Sequence, residues 1–348
     1  VRVAVVGMPD SAERDKLVLL LHGIRRAGHT PLLVDADLFA SGAVRLDGPA
    51  IRDAAPVRLP PLTGRHRTVA GLVERLSVDG ITGAARSPGE AIGVDAVWPE
   101  ALDIGRRLAF EGLYRQIAAA PVRSPAGSWE SVLATMFKHR MRRLVGPGVR
   151  HAVVTARDDA EAARQAVSRG DVWVKAPDDT HGHGVHHLSP GEPAVPAVRK
   201  ALRRTPDGEL CLIEEDIRGL LADPGGRPHR ADLAVTVLDG RILQATLRVQ
   251  PDLAAPTNSR HGGDSLPVAV GSLPVAVREM AIGALAATHC RYGSADILGS
   301  VPGDSGFTVV DPVPPAVGEV NKMPGGRSPG FLDQVVMPLV EAVVSASR

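Results

Sequence analysis

The sequence predicts an α/β protein in three parts, a doubly wound N-terminal domain followed by two α+β units. Three observations carry that expectation. Residues 1–35 read as strand, helix, strand; residues 129–188 alternate short helices and short strands; and from residue 209 a strand leads into a hairpin, a helix and three further strands.

The opening run VRVAVVG at 1–7 is apolar, β-branched and closed by Gly7, which reads as a buried strand. Asp10 and Ser11 supply helix caps, the apolar period from Leu17 to Ile24 supplies the helix, and Gly28 stops it. Pro31 to Asp35 is the second strand, completing the βαβ unit with which a doubly wound domain begins. The GxGxxG fingerprint of dinucleotide sites is missing from the first turn. Residues 40–98 are rich in Pro, Gly and Arg, and their periodicity places no elements. A helix is expected from Pro99 to about Ala119, and PVRSPAGS at 121–128 reads as a linker. The domains expected are therefore 1–121, 122–205 and 206–348.

In the second part the pattern gives a helix at 129–144, a strand at 150–155, a helix at 158–168, a strand from Val172 to Lys175, a loop, and a strand at 184–188. The third part opens with a strand at 209–217. Two apolar runs then flank Asp239-Gly240, a strong hairpin dipeptide. A helix at 274–290, strands near 294–298, 307–311 and 316–321, and a last amphipathic helix at 330–346 complete the chain.

With 348 residues, 44% of them apolar but only 3% aromatic, the core must be built from Ala, Val and Leu, with 37 Gly and 29 Pro punctuating many turns. Forty basic against thirty-nine acidic residues leave a net charge of +1, and no basic stretch is interleaved with aromatics, so nucleic acid is not an expected partner. Apolar runs such as Leu17 to Leu21 fall short of a bilayer span, and a strand pattern stands where a charged leader would be. A soluble, cytoplasmic protein with no membrane partner is expected. Cys211 and Cys290 are isolated and read as buried thiols.

Three segments carry chemistry. In VKAPDDTHGHGV at 174–185, Lys175 ends a strand before a Gly-containing loop, so one ammonium and several backbone N–H groups can surround a polyphosphate; a snorkelling edge lysine is the alternative. Glu319 and Asn321, two apart on one strand, share a face and with Asp296 offer hard oxygen ligands for Mg²⁺; an edge strand with a wet polar face is the alternative. Arg248, followed by NSRHGG at 258–263, combines a forked cation with a Gly pair that allows close anion approach, although Gly-Gly also makes plain turns.

In order and spacing these segments resemble the ATP-grasp superfamily, in particular its glutathione synthetase and RimK-type branch, over residues 124–328. Lys138 in MFKHRM sits where the family has an early helical Lys, and VKAPDDTHGHGV matches its strand, Gly-rich loop and Gly-Val strand. LIEEDI at 212–217 resembles the adenine-contacting linker strand; Asp232, the Asp239-Gly240 turn and Arg248 resemble the Asp-Ile-Arg hairpin; and Asn258 to Gly263 resembles Asn-x-x-x-Gly-Gly. ADIL at 295–298 and EVNKMPG at 319–325 resemble the closing strands. The resemblance implies a Rossmann-like pre-ATP-grasp domain followed by the two α+β subdomains of an ATP-grasp fold. It implies an ADP-forming ligase that joins a small-molecule or peptide carboxylate to an amine through an acyl phosphate, with ATP and Mg²⁺ as cofactors. Adenine would lie at Glu214, Glu215, Asp216 and Ile217, and the phosphates at Lys138, Lys175, His181, Gly182, His183 and Gly184. Asp296, Glu319 and Asn321 would hold the metal, and Arg248, Lys175 and Asn258 would act in catalysis. Dimers and tetramers are common in that family.

The departures are specific. His181 and His183 stand in the phosphate loop, Ala234 replaces the Arg of the Asp-Ile-Arg strand, and Asp296 lies twenty-three positions before Glu319, which leaves Asp311 as a second candidate for the metal carboxylate. Two other readings compete. One is a metal-dependent hydrolase, because the His181, His183 and His186 spacing resembles the HxHxDH zinc signature of metallo-β-lactamase-fold enzymes, but Val185 stands where the required Asp would be, and His186 and His187 read as surface residues. A non-catalytic nucleotide-binding module is the second, and the presence of Lys175, Glu319 and Asn321 weighs against it.

Overall fold

The computed structural model describes residues 1–8, 14–59, 81–100, 107–125, 127–146, 148–176, 184–204, 210–257, 262–322 and 330–345. Two compact units are present, Val1–Trp129 together with Met323–Arg348, and Glu130–Lys322.

In the first unit β1 (Arg2–Gly7), α1 (Arg14–Arg26) and β2 (Thr30–Asp35) form the expected βαβ opening, with β1 and β2 parallel. Val3 to Val6 are all buried, as befits an inner strand that is paired in parallel on both sides, with β2 and with the strand at Ala96–Pro99. Gly28 adopts φ +80° and closes α1, a left-handed position that costs glycine nothing. Asp10 and Ser11 lie outside the described residues.

The Pro-, Gly- and Arg-rich stretch holds α2 (Ala36–Ala40), β3 (Arg45–Asp47), β4 (Ala50–Arg58), β5 (Thr82–Gly93) and β6 (Ala96–Pro99). The sheet order is β3-β4-β5-β2-β1-β6. Pro99 therefore ends a strand and does not start a helix; the described helix α3 begins at Arg107 and runs to Ala119. A bulge between Arg52 and Ala54 breaks the β4–β5 register, which erases the period-two signal.

The C-terminal segment, expected with the third domain, belongs to this first unit. A π turn at Leu332–Val336 leads into the last helix, α9 (Met337–Ser345), and packs on α1. The approach is close enough that a Cβ on Gly23 would meet Val336 at 2.4 Å, and Arg26 pairs with Asp333 at 2.6 Å.

In the second unit the helix expected at 129–144 is two helices, α4 (Trp129–Met136) and α5 (Lys138–Val145), because Phe137 takes an extended conformation. A four-stranded sheet follows, in the order β7 (His151–Val154), β10 (Cys211–Glu215), β8 (Val172–Lys175), β9 (Val185–Leu188). Helices α6 (Ala160–Val167) and α7 (Ala194–Leu202) share one apolar core with it. The boundary expected at 205 would put β10 in the third part, whereas the strand pairs with both β7 and β8 and completes this sheet.

The larger sheet of the unit runs β14 (Asp264–Val268), β13 (Arg241–Gln250), β12 (Pro228–Leu238), β11 (Gly219–Ala222), β16 (Thr308–Asp311). Strand β15 (Tyr292–Leu298) pairs with the second half of β12, and β17 (Ala316–Asn321) pairs with β15. Asp239 and Gly240 take φ +48° and +76°, the two positive angles that a type I′ hairpin turn demands. One apolar core joins this sheet to α8 (Val275–Ala287) and to Met141 of α5. Cys211 and Cys290 are both free and buried.

Candidate functional site

The strand pairing of the larger sheet gathers the expected metal ligands. Asp296 of β15 is the register partner of Glu319 of β17, and Asn321 follows two positions later on the same face. Asn321 Nδ2 donates to Asp296 Oδ2 at 3.2 Å. The other oxygen, Asp296 Oδ1, is buried without a hydrogen-bond partner among the described residues. Burial pushes the Asp296 carboxyl up to about 6; Arg248 opposes the rise, and the charges of Asp232 and Glu319 add to it. Asp311 lies elsewhere, exposed on β16 opposite Leu220 of β11.

Basic side chains converge on these carboxylates from two sides. The break at Phe137 makes Lys138 the first residue of α5, and its Nζ lies 3.5 Å from Glu319 Oε1. One turn on, Arg142 is buried; its Nε donates to Glu214 Oε1 at 2.6 Å, and its two terminal nitrogens donate to the carbonyls of Val317 and Gly318. Arg142 thus ties α5 to both β10 and β17. On the other side Arg248 of β13 donates through Nε to Asp232 Oδ1, its register partner on β12, and through Nη2 to Asp296 Oδ2 at 2.8 Å. Thr257 Oγ1 donates to the second oxygen of Asp232.

Lys175 ends β8 as expected, and its Nζ meets Glu214 Oε2 at 2.5 Å. Glu214 is therefore a buried carboxylate shared by Lys175 and Arg142. Burial alone would raise its pKa, but Lys175 and then Arg142 outweigh that and hold it well below the usual carboxylate range.

The rest of the linker is also occupied on its side-chain side. Glu215 takes the backbone N–H and Nε of Arg150, each at 2.6 Å. Asp216 accepts from Arg230, Arg218 and Trp173 Nε1. Backbone amides of Glu215 and Asp216 donate to Arg150 and Asp171, while the Ile217 amide has no backbone partner among the described residues. A cleft of about 460 Å³ opens here, between Glu215–Arg218 and Asp311–Ala316.

His187 is not the surface residue expected. Its ring stands edge-on to Trp173 at 4.7 Å, and its Nε2 lies 3.4 Å from Asp216 Oδ2. Asp171, His187 and Asp216 could together ligate a metal, but the Arg218 guanidinium already contacts all three, so a cation is in place. Gly184 is buried and its carbonyl accepts from the Ala176 N–H, joining the two ends of the segment expected to bind phosphate. His181, Gly182, His183 and Asn258 lie outside the described residues.

Arg142, Arg230 and Thr257 join these groups without being marked as site residues by the sequence motifs. Only Arg142 carried a signal, since four positions from Lys138 places both on one helix face.

No family model and no curated protein matches the chain. Solved structures do match it over its whole length. The ATP-grasp ligase PsnB, in complex with a phosphomimetic variant of its minimal precursor, Mg and ADP, is 16% identical, with 99% of this chain and 98% of PsnB covered at a TM-score of 0.60. The D-cycloserine synthetase DcsG is 16% identical with both chains fully covered and a TM-score of 0.61. The VanG D-Ala:D-Ser ligase of Enterococcus faecalis is 14% identical, with 99% and 98% covered and a TM-score of 0.62. At these identities the likeness establishes the fold, and the fold is the mixed α/β, ATP-grasp architecture of those ligases. No helix among the described residues is long and apolar enough to cross a membrane.

Proposed function

We propose that this chain is an ATP-dependent carboxylate–amine ligase that releases ADP and acts on an amino-acid or peptide substrate, in the manner of the glutathione synthetase and RimK-type branch. The observation that carries the reading is the face built by Asp296, Glu319 and Asn321, flanked by Lys138 and Arg248. Three oxygen donors suit Mg²⁺, and the buried, unpartnered Asp296 Oδ1 fits a cation better than it fits an empty apolar setting. PsnB and the D-Ala ligases of the same fold add weight, since PsnB has been captured with Mg and ADP.

Mg²⁺, when bound, would neutralise charge on the phosphates of ATP. Asp296, Glu319 and Asn321 would hold it, and Lys138 would stand beside Glu319 to face the same phosphates. Lys175, anchored by Glu214 at the end of β8, would offset charge on the transferring phosphoryl oxygens. The linker leaves its backbone edge near Ile217 for adenine, because the Glu214, Glu215 and Asp216 side chains are already paired. The substrate carboxylate attacks the γ-phosphorus, ADP leaves, and the amine nitrogen then attacks the acyl phosphate and expels phosphate. Arg248, with Asn258 and the Gly262-Gly263 pair beyond it, is the group that would stabilise the tetrahedral oxyanion.

Screening carboxylate and amine pairs for ADP release tests this directly. A ligase releases ADP at full rate only when both are supplied, and a product one water lighter than their sum accumulates. ADP release that no carboxylate accelerates would leave a plain ATPase, and none at all a non-catalytic module.

A further inference from the structure

Arg248 is bound to two carboxylates at once, one of which is a candidate metal ligand. Its Nε is fixed by Asp232 across the β12–β13 pair, and its Nη2 sits on Asp296 Oδ2, reaching the next strand diagonally. The route is open because Ala234, the residue on β12 directly opposite Asp296, is small. Asp232 is itself held, by the Thr257 hydroxyl, immediately before the 258–263 loop. Three charged groups thus act on Asp296, namely Arg248, Asp232 and Glu319, and Lys138 is paired with the last of them.

A guanidinium and a divalent cation compete for the same carboxylate oxygen. Asp296 Oδ1 has no partner among the described residues and can take a cation directly; the cation gains Oδ2 as well only if Arg248 gives it up. A guanidinium with no other anchor would resist that exchange, because its charge would be stranded in a buried setting. One that keeps a second ion pair through a different nitrogen can let go at Nη2 and remain in the site.

We propose that Asp232 is a positioning residue whose anchorage of Arg248 through Nε lets the guanidinium release Asp296 Oδ2 to a divalent cation without leaving the site. The inference rests on the metal reading of Asp296 and Glu319. It gives Asp232 a role exerted through Arg248, so removing Asp232 should matter only while Arg248 is present.

The test is a double-mutant cycle read by Mn²⁺ binding, followed by electron paramagnetic resonance with the full-length protein and no substrate. Asp232→Asn should weaken Mn²⁺ binding about tenfold and Arg248→Gln should tighten it about threefold or more, while Asp232→Asn in the Arg248→Gln background should change it by no more than about threefold. Should Asp232→Asn fail to fold, Thr257→Val, which loosens Asp232 without removing its charge, replaces it in the cycle and should weaken binding only when Arg248 is present. Equal weakening in both backgrounds would overturn the proposal, because Asp232 would then act as a charge or a structural group by itself. Mn²⁺ binding that is lacking in all four proteins, or indifferent to Glu319→Gln, would instead remove the metal reading and the proposal with it.

Discussion

Glu214→Gln is the substitution whose consequence the structure fixes most tightly. The carboxylate is 1% exposed and bonds Arg142 at 2.6 Å and Lys175 at 2.5 Å. A glutamine of the same shape keeps an acceptor oxygen but removes the charge, so it leaves no cavity and isolates the electrostatic loss. Breaking a buried pair by neutralising one member typically costs about 3–5 kcal/mol, because the remaining charge stays buried. Arg142 keeps its bonds to the Val317 and Gly318 carbonyls, which places the expected loss near the lower end, about 3 kcal/mol. Urea unfolding at pH 7 measures it. The pH dependence supplies a second reading with a definite sign. Since the folded pKa of Glu214 is depressed, the wild type holds this stability above the ordinary carboxylate range and loses it progressively as pH falls below about 4.5. The difference between wild type and Glu214→Gln should therefore shrink as the pH drops below that point. A loss under about 1 kcal/mol at neutral pH, or a difference that does not vary with acid, would refute the reasoning.

Other outcomes can be checked with the same protein. Glu319→Gln should cut metal-dependent ADP release by roughly a hundredfold or more while ATP still binds in weakened form, measured by calorimetry alongside turnover. Asp296→Asn should be far more damaging than Asp311→Asn, since only Asp296 lies beside Glu319; equal effects would return Asp311 to the metal site. Lys322, buried just after the end of β17 where it donates to Ser131, has its pKa lowered by burial from 10.5 to about 8. The unfolded chain binds more protons between those values, so its contribution to stability should rise from pH 8 to 10.5, and Lys322→Met should be the more stable protein at pH 7 by up to about 3 kcal/mol, an advantage lost across that window. A flat difference between the two proteins would show that the lysine is not desolvated.

How far the site was readable can be traced residue by residue. Glu319 and Asn321 declared a shared face by spacing alone, and Asp239-Gly240 announced its hairpin. Asp296 could not be matched to Glu319 by counting, because the intervening chain leaves to add β16 beside β11 before returning as β17. The pairing of Arg248 with Asp232 was hidden for a subtler reason. From the turn, uninterrupted pairing would set Arg248 against Ala231, a core residue; a bulge between Thr236 and Val237 moves it by one position and onto Asp232. Nothing in that run of residues marks the bulge. Likewise Phe137, which splits the expected helix and makes Lys138 a helix start, has no breaker beside it. The membership of β10 in the small sheet is a tertiary fact, decided by β7 and β8, which both pair with it and not with each other.

The chemistry itself rests on the fate of one oxygen atom. With MgATP, an accepted carboxylate labelled with ¹⁸O and an amine, the released phosphate should carry one labelled oxygen, and hydroxylamine in place of the amine should yield the hydroxamate. Lys175→Ala should suppress both, since its ammonium offsets charge on the phosphoryl oxygens during transfer. Product formation with no label in the phosphate, or with AMP in place of ADP, would contradict the acyl-phosphate route and with it the proposed roles of Lys175, Arg248 and the Asp296–Glu319 face.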